Sequence, residues 1–167
     1  MTLLVDGHNL IGQMPGIQLS DPDDEAQLVL FLRRYATAKR GRQVLVVFDH
    51  GVYGHPQQLN GYGVTCRFAR SPQDADEQLL KLIQQASQPR NWTVVTSDRK
   101  VVEAATTRGM RVIASHVFAK ELKKLEAAAK PQPPPLTEKH GNPRLSQKEI
   151  AEWLDFFGID DDEDSQS

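Results

Sequence analysis

Leu3-Leu4-Val5-Asp6-Gly7-His8-Asn9 opens the chain: three apolar residues, an acid, a glycine and two side chains that form hydrogen bonds. An apolar run that stops this abruptly predicts a buried β-strand over Leu3–Val5, with Asp6 at its carboxyl end. The pattern returns in Val44-Leu45-Val46-Val47-Phe48-Asp49 and in Trp92-Thr93-Val94-Val95-Thr96-Ser97-Asp98. Val64–Phe68 and Met110–Ala114 read as two more strands. Near-continuous apolar runs are what parallel strands show when both faces of the sheet are covered.

Helix-period segments separate these strands. Ser20-Asp21-Pro22 supplies a cap and an N1 proline for a helix with Leu28, Leu32 and Tyr35 on one face, closed by Gly41. Ser71-Pro72 opens a second, with Leu79, Leu80 and Ile83 ahead of a break near Pro89. A third runs from Arg99 to Arg108, and Ser115 caps a fourth that carries Phe118, Leu122 and Leu125. Strands alternating with helices predict an α/β three-layer fold: a central, mainly parallel sheet of about five strands flanked by helices.

With 39% hydrophobic residues over 167 positions, the chain can bury a core of ordinary domain size. The first apolar run ends at Asp6 without a basic flank, so no secretory signal is expected. No stretch approaches the ~20 apolar residues of a membrane span. Cys66 is the only cysteine, which leaves no disulfide and no thiolate zinc site within the chain. A cytoplasmic setting without membrane contact is expected.

Charge is uneven. Residues 1–130 hold 17 Lys+Arg against 13 Asp+Glu, and residues 131–167 hold 3 against 9. A mildly basic body suits a polyanionic partner. Residues 1–130 read as one domain and 131–145 as a stiff proline-rich linker. Residues 146–157 form a short amphipathic helix opened by the capping box Ser146-Gln147-Lys148-Glu149, and 158–167 a disordered acidic tail.

In a parallel sheet the strand-ending residues share one edge, and that edge is where open α/β folds bind ligands. Asp6, Asp49 and Asp98 are expected there. Asp76 and Glu77, in the first turn of a helix that follows a parallel strand, face the same edge. At ~6 Å and an effective dielectric of ~20, each carboxylate pair repels by about 3 kcal/mol, so either pKa values rise or a divalent cation joins them. Oxygen-only ligands favour Mg²⁺ or Mn²⁺. Asn9 is placed to orient a ligand or contact phosphate, and Ser97 to donate a hydroxyl. Each piece alone has a plainer reading: Asp6-Gly7 as a turn, Ser97-Asp98 as a helix cap, Asp74, Asp76 and Glu77 as partners of a helix dipole. Their joint arrival at one rim points to a metal centre.

At these residues the chain also resembles the YacP-like NYN domains, which belong to the PIN-like nuclease superfamily. The motifs are Val5-Asp6-Gly7-His8-Asn9-Leu10-Ile11, Val46-Val47-Phe48-Asp49, Ala75-Asp76-Glu77 and Thr96-Ser97-Asp98, in order over residues 2–128. The resemblance implies a PIN-like Rossmannoid fold and Mg²⁺- or Mn²⁺-dependent endoribonuclease activity. It implies an acidic metal centre of Asp6, Asp76 and Asp98, with Asn9 and Ser97 in support. It also implies a link to translation and messenger RNA decay, with the ribosome as a partner. His8 stands where many members have tyrosine, so no aromatic role carries over. The linker and the acidic tail lie outside the resemblance.

The expected substrate is single-stranded RNA. Tyr53, His55 and Tyr62 offer rings for stacking on unpaired bases, each worth ~1–3 kcal/mol. Arg67 and Arg70 offer phosphate contacts. The leading expectation is hydrolysis of RNA phosphodiester bonds by metal-activated water, with Asp49 or Glu77 as further ligand or base. The alternative is a non-catalytic RNA- or ribosome-binding module that keeps an acidic rim. No Asp-x-Asp follows the first strand, which argues against a phosphatase of the haloacid type. No Gly-x-Gly-x-x-Gly loop is present, which argues against a nucleotide cofactor.

Overall fold

The computed structural model describes residues 1–49, 59–69 and 74–129. The linker, the 146–157 helix and the acidic tail lie outside the described residues, as do Tyr53, His55, Arg70 and Ser71-Pro72.

Five strands are described: β1 (Thr2–Asp6), β2 (Gln43–Asp49), β3 (Val64–Ala69), β4 (Trp92–Val95) and β5 (Arg111–Ile113). All are parallel, in the spatial order β3-β2-β1-β4-β5. The first strand in sequence is the central one. It pairs with β2 from Thr2 opposite Gln43 to Asp6 opposite Val47, and with β4 from Thr2 opposite Trp92 to Val5 opposite Val95. Flanked on both sides and covered on both faces, Leu3, Leu4 and Val5 are buried. The chain leaves β1 toward β2 and β3, then returns to β4 and β5 on the other side. The carboxyl ends of β1 and β4 therefore flank the switch in strand order, the crevice in which open α/β sheets bind ligands.

Helices fill both faces. α1 (Gly7–Ile11), α2 (Asp24–Thr37) and α5 (Ser115–Ala129) cover one, bringing Leu10, Leu28, Leu32, Phe118 and Leu122 onto Leu3, Val5, Val46 and Phe48. α3 (Ala75–Gln85) and α4 (Arg99–Thr107) cover the other, with Leu79, Ile83, Val101 and Ala105 on Leu4, Val47 and Val94. Successive β1 residues thus serve opposite cores, the period of two of a strand. This is the expected three-layer α/β arrangement. No helix among the described residues is long and apolar enough to cross a membrane.

Three local expectations change. Asp6-Gly7 does not make a simple turn: Gly7 opens the short helix α1, tight against β2. A Cβ on Gly7 would collide with the Phe48 ring and lie 2.9 Å from the Val47 carbonyl oxygen, so only glycine fits. α2 begins at Asp24, beyond the expected Ser20-Asp21-Pro22 start. Asp21 Oδ2 instead accepts the Gln18 amide at 3.2 Å and closes the preceding turn. Ser115, expected as a cap, is the first residue of α5, and its hydroxyl serves the site described next.

Candidate active site at the carboxyl rim

Asp6 is the last residue of β1 and only 6% exposed. Burial pushes its pKa up to about 6; the Thr96 hydroxyl and the Asn9 backbone amide pull against the rise, and the Asp76 and Asp98 carboxylates add to it. Asp76, in the first turn of α3, is raised too. Burial is the main cause, followed by Asp98 and Asp74, with Lys100 opposing and Asp49 adding. The end of β1, the residues after β4 and the start of α3 therefore hold Asp6, Asp98 and Asp76 within reach of one another's charge, and Asp49 at the end of β2 acts on Asp76. Asp6, Asp76 and Asp98 do not bring one oxygen each within 4.8 Å of both others.

A hydroxyl absent from the expected site joins two of these acids. Thr96, fully buried just past β4, donates its Oγ1–H to Asp6 Oδ2 at 3.1 Å and accepts the Asp98 amide at 3.1 Å. The amide can only donate, so the hydroxyl proton is directed at Asp6. Asp98 in turn caps α4: its Oδ1 accepts the amides of Lys100 at 2.9 Å and Val101 at 3.1 Å. The cap reading of Ser97-Asp98 therefore holds for one oxygen of Asp98, and the second takes no part in it.

Asn9 ties three strand ends together. Its Oδ1 accepts the Ser97 amide at 3.0 Å and the Ser115 hydroxyl at 2.6 Å, and the Ser115 amide donates to Ser97 Oγ at 3.2 Å. With both Oδ1 lone pairs used, Asn9 keeps its Nδ2 donors for a ligand. Ser97 likewise acts first as a structural acceptor. Ser115 reads in sequence as an ordinary cap, and Thr96, though it stands in the Thr96-Ser97-Asp98 motif, reads as a strand-end residue with no assigned partner.

The remaining expected residues divide. Glu77 is exposed and contributes no field at Asp76; Asp74, which caps α3 by accepting the Glu77 amide at 2.9 Å, does so in its place. Tyr62 is 73% exposed in the Gly61–Gly63 turn that precedes β3, with φ of 53° and the Arg33 guanidinium 5.3 Å from its ring. Because β3 runs parallel to β1, that turn lies at the amino edge of the sheet, about 17 Å below the rim at ~3.3 Å per strand residue. Arg67 is exposed on β3 opposite Val47, on the face that carries α3 and α4, in a groove of about 520 Å³ with Thr65 and Trp92. The structure therefore gathers the acids and Asn9 and leaves Tyr62 away from them.

A second polar group lies beside the rim. His8 Nε2 is 3.4 Å from Glu25 Oε1, and His8, Asp24 and Glu25 each offer a ligand atom within 4.8 Å of the others. It is the one such grouping among the described residues.

Comparison with known proteins places this geometry in a family. A family model described as the YacP-like NYN domain matches residues 3–157, past the proline-rich stretch and through the 146–157 segment that the motifs alone left out. No curated protein matches. Two crystal structures of Rae1 (YacP) from Bacillus subtilis are similar in fold. One has 28% identity and a TM-score of 0.62, covering 77% of this chain and 76% of that one. The other, of a mutant, has 26% identity and a TM-score of 0.58, covering 76% and 77%. This chain belongs to the YacP-like NYN domain family and has its PIN-like nuclease fold.

Proposed function

We propose that this protein is a divalent-metal-dependent endoribonuclease acting on single-stranded RNA. By family resemblance its targets are messenger RNAs engaged in translation, with the ribosome as partner. One observation carries the reading: Asp6, Asp76 and Asp98 act on one another beside the switch in strand order, and burial, with the charges of Asp76 and Asp98 adding to it, drives Asp6 up to about 6. A hard cation fits such a site, because the donors are all oxygen and a positive charge restores the ionised form. Asp6, Asp76 and Asp98 would hold Mg²⁺ or Mn²⁺, with Asp49 beside them. The bound ion supplies charge neutralisation on a phosphoryl group and an acidified water. Thr96 keeps Asp6 oriented, and Asn9 presents Nδ2 to a phosphate oxygen. Lys100, whose charge reaches Asp76, meets the negative charge of the backbone. Asp49 stands ready to accept a proton.

The test is cleavage of end-labelled, unstructured RNA by wild-type and Asp98→Asn protein, each with Mn²⁺ and with EDTA. Cutting is expected only by wild type with metal, leaving 5′-phosphate and 3′-hydroxyl ends. Cyclic phosphate products, or activity in EDTA, would overturn it. RNA retained uncut in all four samples would favour a non-catalytic binding module.

A further inference from the structure

We propose that His8 is a positioning residue that sets Asp49 against the acidic rim; the role rests on the nuclease reading above. His8 is the second residue of α1, close behind Asp6, and its ring meets Phe48 edge-on at 5.6 Å between centroids. Its Nδ1 accepts the Asp49 backbone amide at 3.1 Å. An amide is always the donor, so Nδ1 carries the lone pair and the proton of the neutral ring sits on Nε2. That proton faces Glu25 Oε1 at 3.4 Å, and the Glu25 side chain is only 3% exposed.

The direction is therefore set at Nδ1, which accepts the Asp49 N–H, and the opposite ring nitrogen, Nε2–H, approaches Glu25 Oε1 at 3.4 Å. A metal ion among His8, Asp24 and Glu25 would need the Nε2 lone pair, which this tautomer does not have. The grouping is a polar strut, hydrogen-bonded at Asp49 and in close contact at Glu25, not a second metal centre. Its upstream end is the Glu25 carboxylate, buried at the start of α2 beside Asp24, whose Oδ1 accepts the Glu25 amide at 2.7 Å. Its downstream end is the last residue of β2, whose carboxylate acts on Asp76. α2, on one face of the sheet, thereby fixes the placement of an acid whose charge reaches α3 on the other.

Two substitutions separate this role from simple packing. His8→Asn keeps an acceptor near Nδ1 and loses the contact to Glu25; His8→Gln keeps a donor near Nε2 and loses the acceptor for Asp49. kcat and KM for RNA cleavage are measured for both, alone and combined with Asp49→Asn, and Mn²⁺ affinity is read by electron paramagnetic resonance. Residues that orient metal-site groups typically matter by about 10–100-fold. The expected result is a loss of about tenfold or more in kcat for His8→Gln, little change in KM, and substantial rescue in His8→Asn. The loss should vanish in the Asp49→Asn background, as acting through one residue requires. Full activity in His8→Gln, equal losses in both variants, or a loss additive with Asp49→Asn would overturn the role. Wild-type protein that binds Mn²⁺ but cuts nothing would sink the nuclease reading alone, and the order of the two variants in Mn²⁺ affinity would then decide for His8. Wild-type protein that binds no Mn²⁺ overturns both.

Discussion

Thr96 shows what a single hydroxyl does at this rim. It is the only described side chain that joins Asp6 to the Asp98 backbone, and its removal takes one of the hydrogen bonds of a buried carboxylate, which keeps the Asn9 backbone amide, and the acceptor of a partly buried amide. Thr96→Val should lower stability by about 1–3 kcal/mol in urea denaturation. It should also raise the Asp6 pKa further, since the Thr96 hydrogen bond opposes that rise. Thr96→Ser should recover both. In sequence the residue hides, because threonine is common in strands and Val94-Val95-Thr96 asks for no hydroxyl. Only the pairing that brings residue 96 beside residue 6 shows its use. Asp6 and Asp98 stood out for the opposite reason, as acids at the ends of apolar runs, and Asp76 as part of an acidic cluster that opens a helix.

At the scale of elements, α4 tests whether Asp98 serves as cap, as ligand, or as both. Its Oδ1 holds the first amides of the helix. Asp98→Ala should cost about 1 kcal/mol, roughly a 3 °C fall in Tm for a domain of this size, whereas Asp98→Asn keeps an oxygen for the cap and should melt near wild type. Both should be inactive. A melting point for Asp98→Asn as low as that of Asp98→Ala would show that the cap needs charge. Strand positions were legible from apolar runs, within one or two residues. Helix starts were less so. Asp21, Asp23 and Asp24 are all credible caps by composition, and the choice among them is made by how the loop after α1 packs. α1 itself is too short for periodicity to reveal.

For the whole molecule, strand order was the missing piece. Parallel strands were expected, and parallel running alone puts the residues before β3 at the far edge, but that β1 is central is a property of the pairing. This is why Tyr62 reads as a neighbour of Asp49 in sequence and is not one in space. The assembled rim also predicts a pH dependence. Asp6 titrates at about 6 in the folded protein against 3.8 as its ordinary value. Between those pH values the folded state holds the proton more tightly, so stability falls as pH rises through the window and levels off above it. The loss is at most about 3 kcal/mol for a shift of this size. Thermal melts without metal should thus give a higher Tm near pH 5 than near pH 7. Mn²⁺ should restore stability at the higher pH, and Asp6→Asn should flatten the slope. A metal-free Tm that rises between pH 5 and 7 by the Asp6 group would contradict its raised pKa.

The bonds that close the rim span long stretches of chain: 90 positions from Asp6 to Thr96 and 106 from Asn9 to Ser115. The central strand precedes the other four in sequence, yet its neighbours are β2 on one side and β4 on the other. A growing polypeptide that has not yet emerged past Ser115 has unpaired pieces of this centre and no centre. The rim therefore belongs to the folded sheet as a whole: no short stretch of the chain carries it, and a fragment ending before Ser115 holds its parts without its geometry.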